Sequence, residues 1–180
     1  MALIQKTDPK GLDIKIDSFQ SYMYNALTAL GVSDWQSYPR IYSVPTSANS
    51  NRFGLIPVHF VSGIDYDEVF MDDDFIITSY FYTDATETID NWIPRTKVSW
   101  ICQMNLDELF PSASHRFDEE FNVMVKDAAK NYTGYGTFTL TNIKKTIDEV
   151  YREFVTDQIK FTNMQPYYNV RFEFDVVVGC

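Results

Sequence analysis

The sequence predicts an α+β fold in which helices pack on one face of a largely antiparallel β-sheet. Strand-like segments are grouped in the middle of the chain, after one helix-like segment and before two more. Grouped strands and grouped helices, rather than strict alternation, are typical of this architecture. The 180 residues are 45% hydrophobic, with 7 Gly and 7 Pro scattered along the chain. We therefore predict one domain over residues 1–180.

The first predicted helix follows Gly11. Its apolar residues recur at intervals of three and four, which places them on one helical face. They are Ile16, Phe19, Met23, Leu27 and Leu30. Asp13 or Asp17 is the expected cap, and Gly31 the expected stop. The turn-rich segment 33–52 then predicts a loop with one short strand at 40–44, and the polar tip 47–51 is a candidate partner-binding loop.

The middle of the chain predicts several strands. Segment 55–61 is strand-like, and Pro57 favours an edge position for it. Segments 66–71 and 75–82 flank three consecutive aspartates and predict a hairpin. Segment 98–106 alternates between apolar and other residues, which indicates a strand with one strongly apolar face. Residues 106–110 would add a helical turn stopped by a proline.

The last third of the chain predicts two helices and a strand. Phe117, Phe121, Met124, Val125 and Ala128 share one helical face, with Ser112 or Ser114 as the cap. A second stripe consists of Ile143, Ile147, Val150, Tyr151 and Phe154, with Thr141 or Asn142 as the cap. Val170, Phe172, Phe174, Val176 and Val178 alternate with polar residues, and we expect this strand to pair with segment 98–106 in the middle of the sheet.

The charge of the chain is strongly acidic, with a formal net charge of −10 and an isoelectric point near 4.5. Non-specific nucleic-acid binding depends on Lys and Arg that neutralise phosphates. We therefore expect DNA to be repelled on average, or to pass only as cargo, although acidity also confers solubility without any such role. Neither a signal-peptide region nor an apolar stretch of about 20 residues is found, so a soluble protein made in a cytoplasm is expected.

No motif of the sequence indicates catalysis. His59 and His115 have no neighbouring nucleophile motif, and Cys102 and Cys180 have no metal-ligand spacing. We therefore predict no enzyme activity, no cofactor and no metal site. The acidic residues at 65–68 and 72–74 keep a metal-dependent nuclease as an alternative from another class, because hard cations take oxygen ligands. An EF-hand is excluded by Phe70 and Ile76, and acids on a solvated hairpin are the favoured interpretation.

The order of several short segments resembles a family of small proteins in the tail-gene modules of phages and prophages of Bacteroidetes-like hosts. The matching segments are 10–13 (KGLD), 38–42 (YPRIY), 65–69 (DYDEV) with Asp72 and Asp73, 115–120 (HRFDEE), 149–154 (EVYREF) and 164–167 (MQPY). They span nearly the full length in a consistent order. The element order is also similar to that of phage tail-terminator proteins, from which the chain departs at 47–51 and 83–88.

The resemblance implies a structural subunit of a phage head–tail junction, in the virion, made in the host bacterial cytoplasm. Such a subunit forms a homo-oligomeric ring, six-fold or alternatively twelve-fold, that terminates the tail tube and joins it to neck or connector proteins. DNA passes through the lumen. The alternatives are a stopper or head-side adaptor ring and the cap of a contractile injection system. The candidate interface residues are Tyr38, Arg40, Tyr42, Asp65, Asp67, Asp72, Asp73 and Asp74.

Overall fold

A computed structural model describes residues 2–45, 54–62, 65–70, 75–83, 87–90, 92–156 and 166–178. It shows an α+β fold, as the sequence predicts. In chain order the elements are β1 (Ala2–Leu3), α1 (Leu12–Ala29), β2 (Trp35–Arg40), β3 (Tyr42–Pro45), β4 (Leu55–Ser62), β5 (Asp65–Glu68), β6 (Ile77–Tyr82), β7 (Glu87–Asp90), β8 (Ile93–Asn105), α2 (Leu106–Leu109), α3 (Asp118–Lys130), β9 (Phe138–Lys144), α4 (Ile147–Val150) and β10 (Tyr167–Val177).

The larger of two sheets has the strand order β1-β2-β6-β8-β10-β9, and β7 pairs with the first residues of β8. The β1–β2 and β2–β6 pairs are parallel and the remaining pairs are antiparallel. β10 lies against β8 over its whole length, with Val170 opposite Cys102 and Phe172 opposite Trp100. The predicted pairing of the terminal strand with segment 98–106 is therefore confirmed.

The first face of this sheet is covered by α1, α2 and α3. Trp100, Phe172 and Phe174 from the central strands pack there with Phe19 of α1 and Phe121 of α3, and all five side chains are buried. Burial of this large aromatic surface is the main favourable contribution to folding. The predicted stripe of α1 is confirmed except at Leu30, which follows the end of the helix and is exposed.

The predicted helix caps are wrong. The first helix begins at Leu12 after Gly11, whose φ of +56° turns the chain without a side-chain cap, so Asp13 and Asp17 lie inside the helix. Helix α3 begins at Asp118 after Phe117, which also makes no side-chain cap hydrogen bond. The serines at 112 and 114 precede this start by several residues.

The second face of the large sheet is covered by α4 and by the smaller sheet, whose strand order is β3-β4-β5. Ile101 of β8, Tyr80 of β6, and Val150 and Tyr151 around α4 form its buried cluster with Val69. The prediction of helices on one face holds for α1–α3 and is wrong for α4. The reason is that Ile101 and Tyr80 give the second face apolar residues of its own, and these must also be covered.

The segment 33–52 contains β2, which was not predicted and joins the large sheet, and β3, which overlaps the short strand predicted at 40–44 and joins the small one. The candidate partner-binding loop 47–51 lies outside the described residues. The predicted hairpin of 66–71 with 75–82 is also wrong. β5 pairs with β4 in the small sheet, whereas β6 lies between β2 and β8. β4 is consequently the central strand of its sheet despite Pro57, whose carbonyl accepts a hydrogen bond from the Val69 N–H at 3.2 Å.

The predicted helix over 143–154 is mostly a strand and a turn. Thr141, Asn142 and Ile143 lie in β9, and only one helical turn, α4, follows. The apolar residues of this segment are spaced as in a helix, but they pack into two different hydrophobic cores. Ile143 packs against the cluster on the first face, whereas Val150 and Phe154 belong to the second. The helical turn predicted for 106–110 is confirmed as α2.

A buried ion-pair network centred on Arg171 of β10 lies on the second face of the large sheet. Arg171 is 1% exposed, and its guanidinium donates to both carboxylate oxygens of Glu153, with Nη1 at 2.5 Å and Nη2 at 2.9 Å. Its Nε donates to Ser99 Oγ at 2.9 Å. Arg152 pairs with Glu173 at 3.1 Å. The network connects the segment after α4 to the sheet through fixed, bidentate geometry.

Candidate functional site

A surface pocket of about 280 Å³ lies between the N-terminal segment and the small sheet. It contains Arg40 and Tyr42, two of the predicted interface residues. It is lined by Gln5, Lys6, Thr7, Asp8, Arg40, Tyr42, His59, Phe60 and Val61. These residues come from the segment after β1, the end of β2, the start of β3 and the end of β4. The pocket therefore depends on the two sheets being packed together.

A triad of charges forms one wall of the pocket. Asp13 of α1 accepts from Arg40 Nε at 2.6 Å and Nη2 at 3.0 Å, and from Lys6 Nζ at 3.0 Å. Two cations thus share one carboxylate, and Asp8, which is paired with Lys10 at 3.0 Å, also lines the pocket. Lys6 Nζ also lies 3.5 Å from Tyr42 Oη and 5.0 Å from the centre of the Tyr42 ring, a cation–π contact.

His59 of β4 is the histidine of the pocket. Burial lowers its pKa below the ordinary value, and Lys6 acts in the same direction while Asp67 opposes it. The imidazole is consequently neutral at pH 7. Its ring centre lies 5.3 Å from that of Tyr38. Tyr38 itself is a core residue of the second face, so its predicted role as a direct partner contact is corrected to one of support.

An exposed aromatic surface, which we call the sheet patch, adjoins the pocket. It consists of Tyr42, Phe60, Val61 and Tyr66, each between 41% and 52% exposed. Phe60 lies opposite Tyr66 in the β4–β5 pair, and their ring centres are 5.4 Å apart. Contiguous exposed apolar residues with a polar rim are typical of protein-binding surfaces.

The predicted acidic residues lie beside the sheet patch. Asp65 and Asp67 are exposed in β5, an outer strand of the small sheet, and Asp67 faces His59 across the β4–β5 pair. The structure thus brings Tyr42, Asp65 and Asp67 together on one three-stranded sheet, which the sequence did not predict. Asp72, Asp73 and Asp74 lie outside the described residues.

A second exposed apolar surface lies on the hairpin of β7 with the start of β8, which we call the hairpin arm. Asp90 of β7 pairs with Ile93 of β8, and Trp92 sits in the turn between them. Trp92 is 95% exposed, and Ile89 and Ile93 beside it are exposed as well. The backbone φ of Trp92 is +67°, a left-handed conformation that bulky residues rarely adopt. Sequence reasoning missed this site, although Asp90 and Asn91 before the tryptophan are typical turn residues.

Asp17 lies one helical turn after Asp13 and is nearly buried. Burial raises its pKa to about 6, and Asp13 adds to the effect, whereas a hydrogen bond from the Lys6 backbone and the Lys6 charge oppose it. The folded state therefore holds a proton that the unfolded state releases. Stability from this group is present below about pH 4 and is lost as pH rises through about 6.

Replacing Asp17 by asparagine is expected to raise the free energy of unfolding at pH 7 by about 1–3 kcal/mol, because it removes a buried charge. The gain should vanish at about pH 4, where Asp17 is protonated in the folded state. Urea unfolding at both pH values measures it. The control is Asp13→Asn, which removes the carboxylate shared by Arg40 and Lys6 and should lower stability at pH 7. A loss of stability at pH 7 in Asp17→Asn would contradict the assignment.

Within the described part of the chain, no helix combines the length and apolar composition needed to cross a bilayer. Among the same residues, no three His, Cys, Asp or Glu side chains are grouped so that they could hold a metal ion. No protein-family model, no curated protein and no solved structure matches this chain.

Proposed function

We propose that this protein is a structural subunit of a phage-type head–tail junction, which works by assembly and not by catalysis. Copies form a ring that terminates the tail tube and joins it to neck or connector proteins. The observation that carries this proposal is that one chain exposes two unlike apolar surfaces, the sheet patch and the hairpin arm. Unlike surfaces meet head to tail, and head-to-tail contacts close into a ring when the rotation between subunits allows it.

The residue types on both surfaces suit a stable contact between proteins. Trp, Tyr and Arg are the commonest energetic anchors of such contacts, and Trp92, Tyr42 and Arg40 supply one of each. Trp92 buries almost none of its surface against the residues that the structure describes, since it is 95% exposed. In the proposed ring, a neighbouring subunit would cover this side chain.

The net charge of −10 supports a lumen through which DNA passes as cargo. Tight binding of a duplex needs cations that neutralise its phosphates, so an acidic lumen leaves the duplex free to slide. Exposed Asp65 and Asp67 place two negative charges on the small sheet. They are candidates for the lumen or for the contact with the tube.

The sequence resemblance to phage tail-module proteins supports a position for the ring at the end of a phage tail. It favours the virion as location, tail-tube and neck proteins as partners, and six-fold symmetry. The α+β fold is the class expected for a tail terminator, although fold class by itself does not determine function. A twelve-fold ring would favour a head-side adaptor, and the remaining alternatives are a stopper and the cap of a contractile injection system.

Electron microscopy of the purified protein, with light scattering for mass, tests the proposal. We expect closed rings with an open centre at high concentration, and their symmetry separates a six-fold terminator from a twelve-fold adaptor. If the protein alone is monomeric, purified tail tubes should acquire rings at their ends on mixing. Monomers together with uncapped tubes would contradict the proposal.

A further inference from the structure

We propose that the Trp92 indole of one copy inserts into the pocket between Lys6, Tyr42 and Val61 of the next copy. This inference deepens the proposed function and rests on it, because it names the two surfaces that would make the ring. Donor and acceptor lie on different parts of the chain. Each copy therefore offers its hairpin arm to one neighbour and its pocket to the other.

The donor, Trp92, lies at the tip of the hairpin arm. Trp92 occupies the turn of the hairpin arm with φ of +67°, where glycine or asparagine would be less strained. Two-residue hairpin turns favour positive φ at their central positions, so the turn keeps the tryptophan at its tip at some local cost. The indole is 95% exposed, so it does not have to leave a packed position in order to enter a pocket on another copy.

The size of the acceptor limits its occupant. The pocket of about 280 Å³ lies just below the range of about 300–1,000 Å³ that is typical of drug-sized ligands. One aromatic side chain at the tip of a hairpin suits such a space. Tyr42, Phe60 and Val61 supply the apolar walls and are themselves partly exposed, so an inserted indole would cover them.

The charges of the pocket complement an indole. Lys6 and Arg40 share the single carboxylate of Asp13, and the Arg40 side chain remains 30% exposed. The Lys6 ammonium already lies 5.0 Å from the centre of the Tyr42 ring, and a cation in such a place attracts the negative face of an aromatic ring, for which tryptophan is the strongest acceptor. Two copies that each carry a net charge of −10 repel each other, so a neutral aromatic anchor in the pocket is a favourable way for them to meet.

Two complementary variants test the pairing. Trp92→Ala removes the donor, and Val61→Glu places a charge at the pocket. Either variant alone should be monomeric at concentrations where the unaltered protein forms rings. An equimolar mixture should give dimers and nothing larger, because one intact donor and one intact acceptor remain in each pair. The matched control is Val123→Glu, at a residue of α3 with 51% exposure against 52% for Val61, and it should assemble normally.

A cross-linking experiment keeps the pairing testable if rings are too weak to isolate. In a Cys180→Ser background, chains carrying Ile89→Cys, which keep the Trp92 indole beside it, are mixed with chains carrying Val61→Cys under mild oxidation. We expect a disulfide-linked heterodimer, and at least ten-fold less product with Val123→Cys in place of Val61→Cys. Cys102 is buried and does not compete.

The outcomes separate the inference from the proposed function. Rings that persist in Trp92→Ala or Val61→Glu would overturn the pairing and leave the ring intact. A specific cross-link without rings or capped tubes would support the pairing while the junction proposal fails. Equal cross-linking to positions 61 and 123 would overturn the pairing in either case.

Discussion

Replacing Arg171 by methionine is expected to lower the free energy of unfolding at pH 7 by about 3–5 kcal/mol. The aliphatic part of the side chain is kept, so the change removes mainly the guanidinium. Glu153 then loses two hydrogen bonds, of 2.5 and 2.9 Å, at a site where little water can replace them. Ser99 loses its partner at 2.9 Å as well.

The loss of stability in Arg171→Met is expected to depend on pH. Burial raises the pKa of Glu153, but hydrogen bonds and charges from Arg171 and Arg152 outweigh that effect and hold the pKa below its ordinary value of 4.5. The stability that this pairing contributes is present above about pH 4.5 and is lost as pH falls through the lowered pKa. The difference between Arg171→Met and the unaltered protein should therefore shrink as the pH is lowered below about 4.5.

Urea unfolding at pH 7 measures the loss, with a matched control at an exposed ion pair. Lys144→Met breaks the 2.9 Å pair with Glu149, whose side chains are 32% and 47% exposed. Exposed pairs contribute about 0–1 kcal/mol. A loss below about 1 kcal/mol for Arg171→Met would show that the network is much less coupled to folding than its geometry implies.

Replacing Trp100 by alanine is expected to cost about 3–5 kcal/mol, a large part of the total stability of a domain of this size. The Trp100 ring lies within 6.0 Å of Trp35, 5.8 Å of Phe81 and 5.6 Å of Phe172, measured between ring centres. These neighbours belong to β2, β6 and β10, so they cannot close around the space without shifting the central sheet. The midpoint of urea unfolding should fall accordingly.

Trp92→Ala is the matched control, because it removes the same side chain from a site where it is 95% exposed. Its effect on the stability of the monomer should lie within about 0.5 kcal/mol. Trp100→Phe tests the packing more gently, since it leaves an aromatic ring and removes an indole N–H without a hydrogen-bond acceptor. Equal losses for Trp92→Ala and Trp100→Ala would contradict the burial assigned to these two residues.

The structure places the predicted interface residues in different surroundings, and their role as an interface stays a prediction. Arg40 and Tyr42 do line the pocket, and Asp65 and Asp67 are exposed on the sheet that borders it. Tyr38 was expected beside them, but β2 shifts register against β6 between Ser37 and Arg40, and the Tyr38 ring is buried in the core near His59. Lys6 and His59 had no sequence signal, because a lone lysine or histidine acquires a role only from its neighbours in space, whereas Trp92 follows two typical turn residues that could have indicated its hairpin.

The sequence by itself determined the elements in which the spacing of apolar residues matches the repeat of a strand or a helix. β8 and β10 alternate with a period of two and α1 carries its stripe at 3.6, so the faces that hold their largest apolar side chains follow from the order of residues alone, whereas the burial of the opposite face of both strands does not. The tertiary structure decided the rest. β4 became central, the stripe at 143–154 was divided between two cores, and Asp13 came to bind Lys6 and Arg40. Each of these outcomes depends on segments far apart in the chain, whose pairing is selected by the packing of the whole domain and leaves no periodic signal in any one of them.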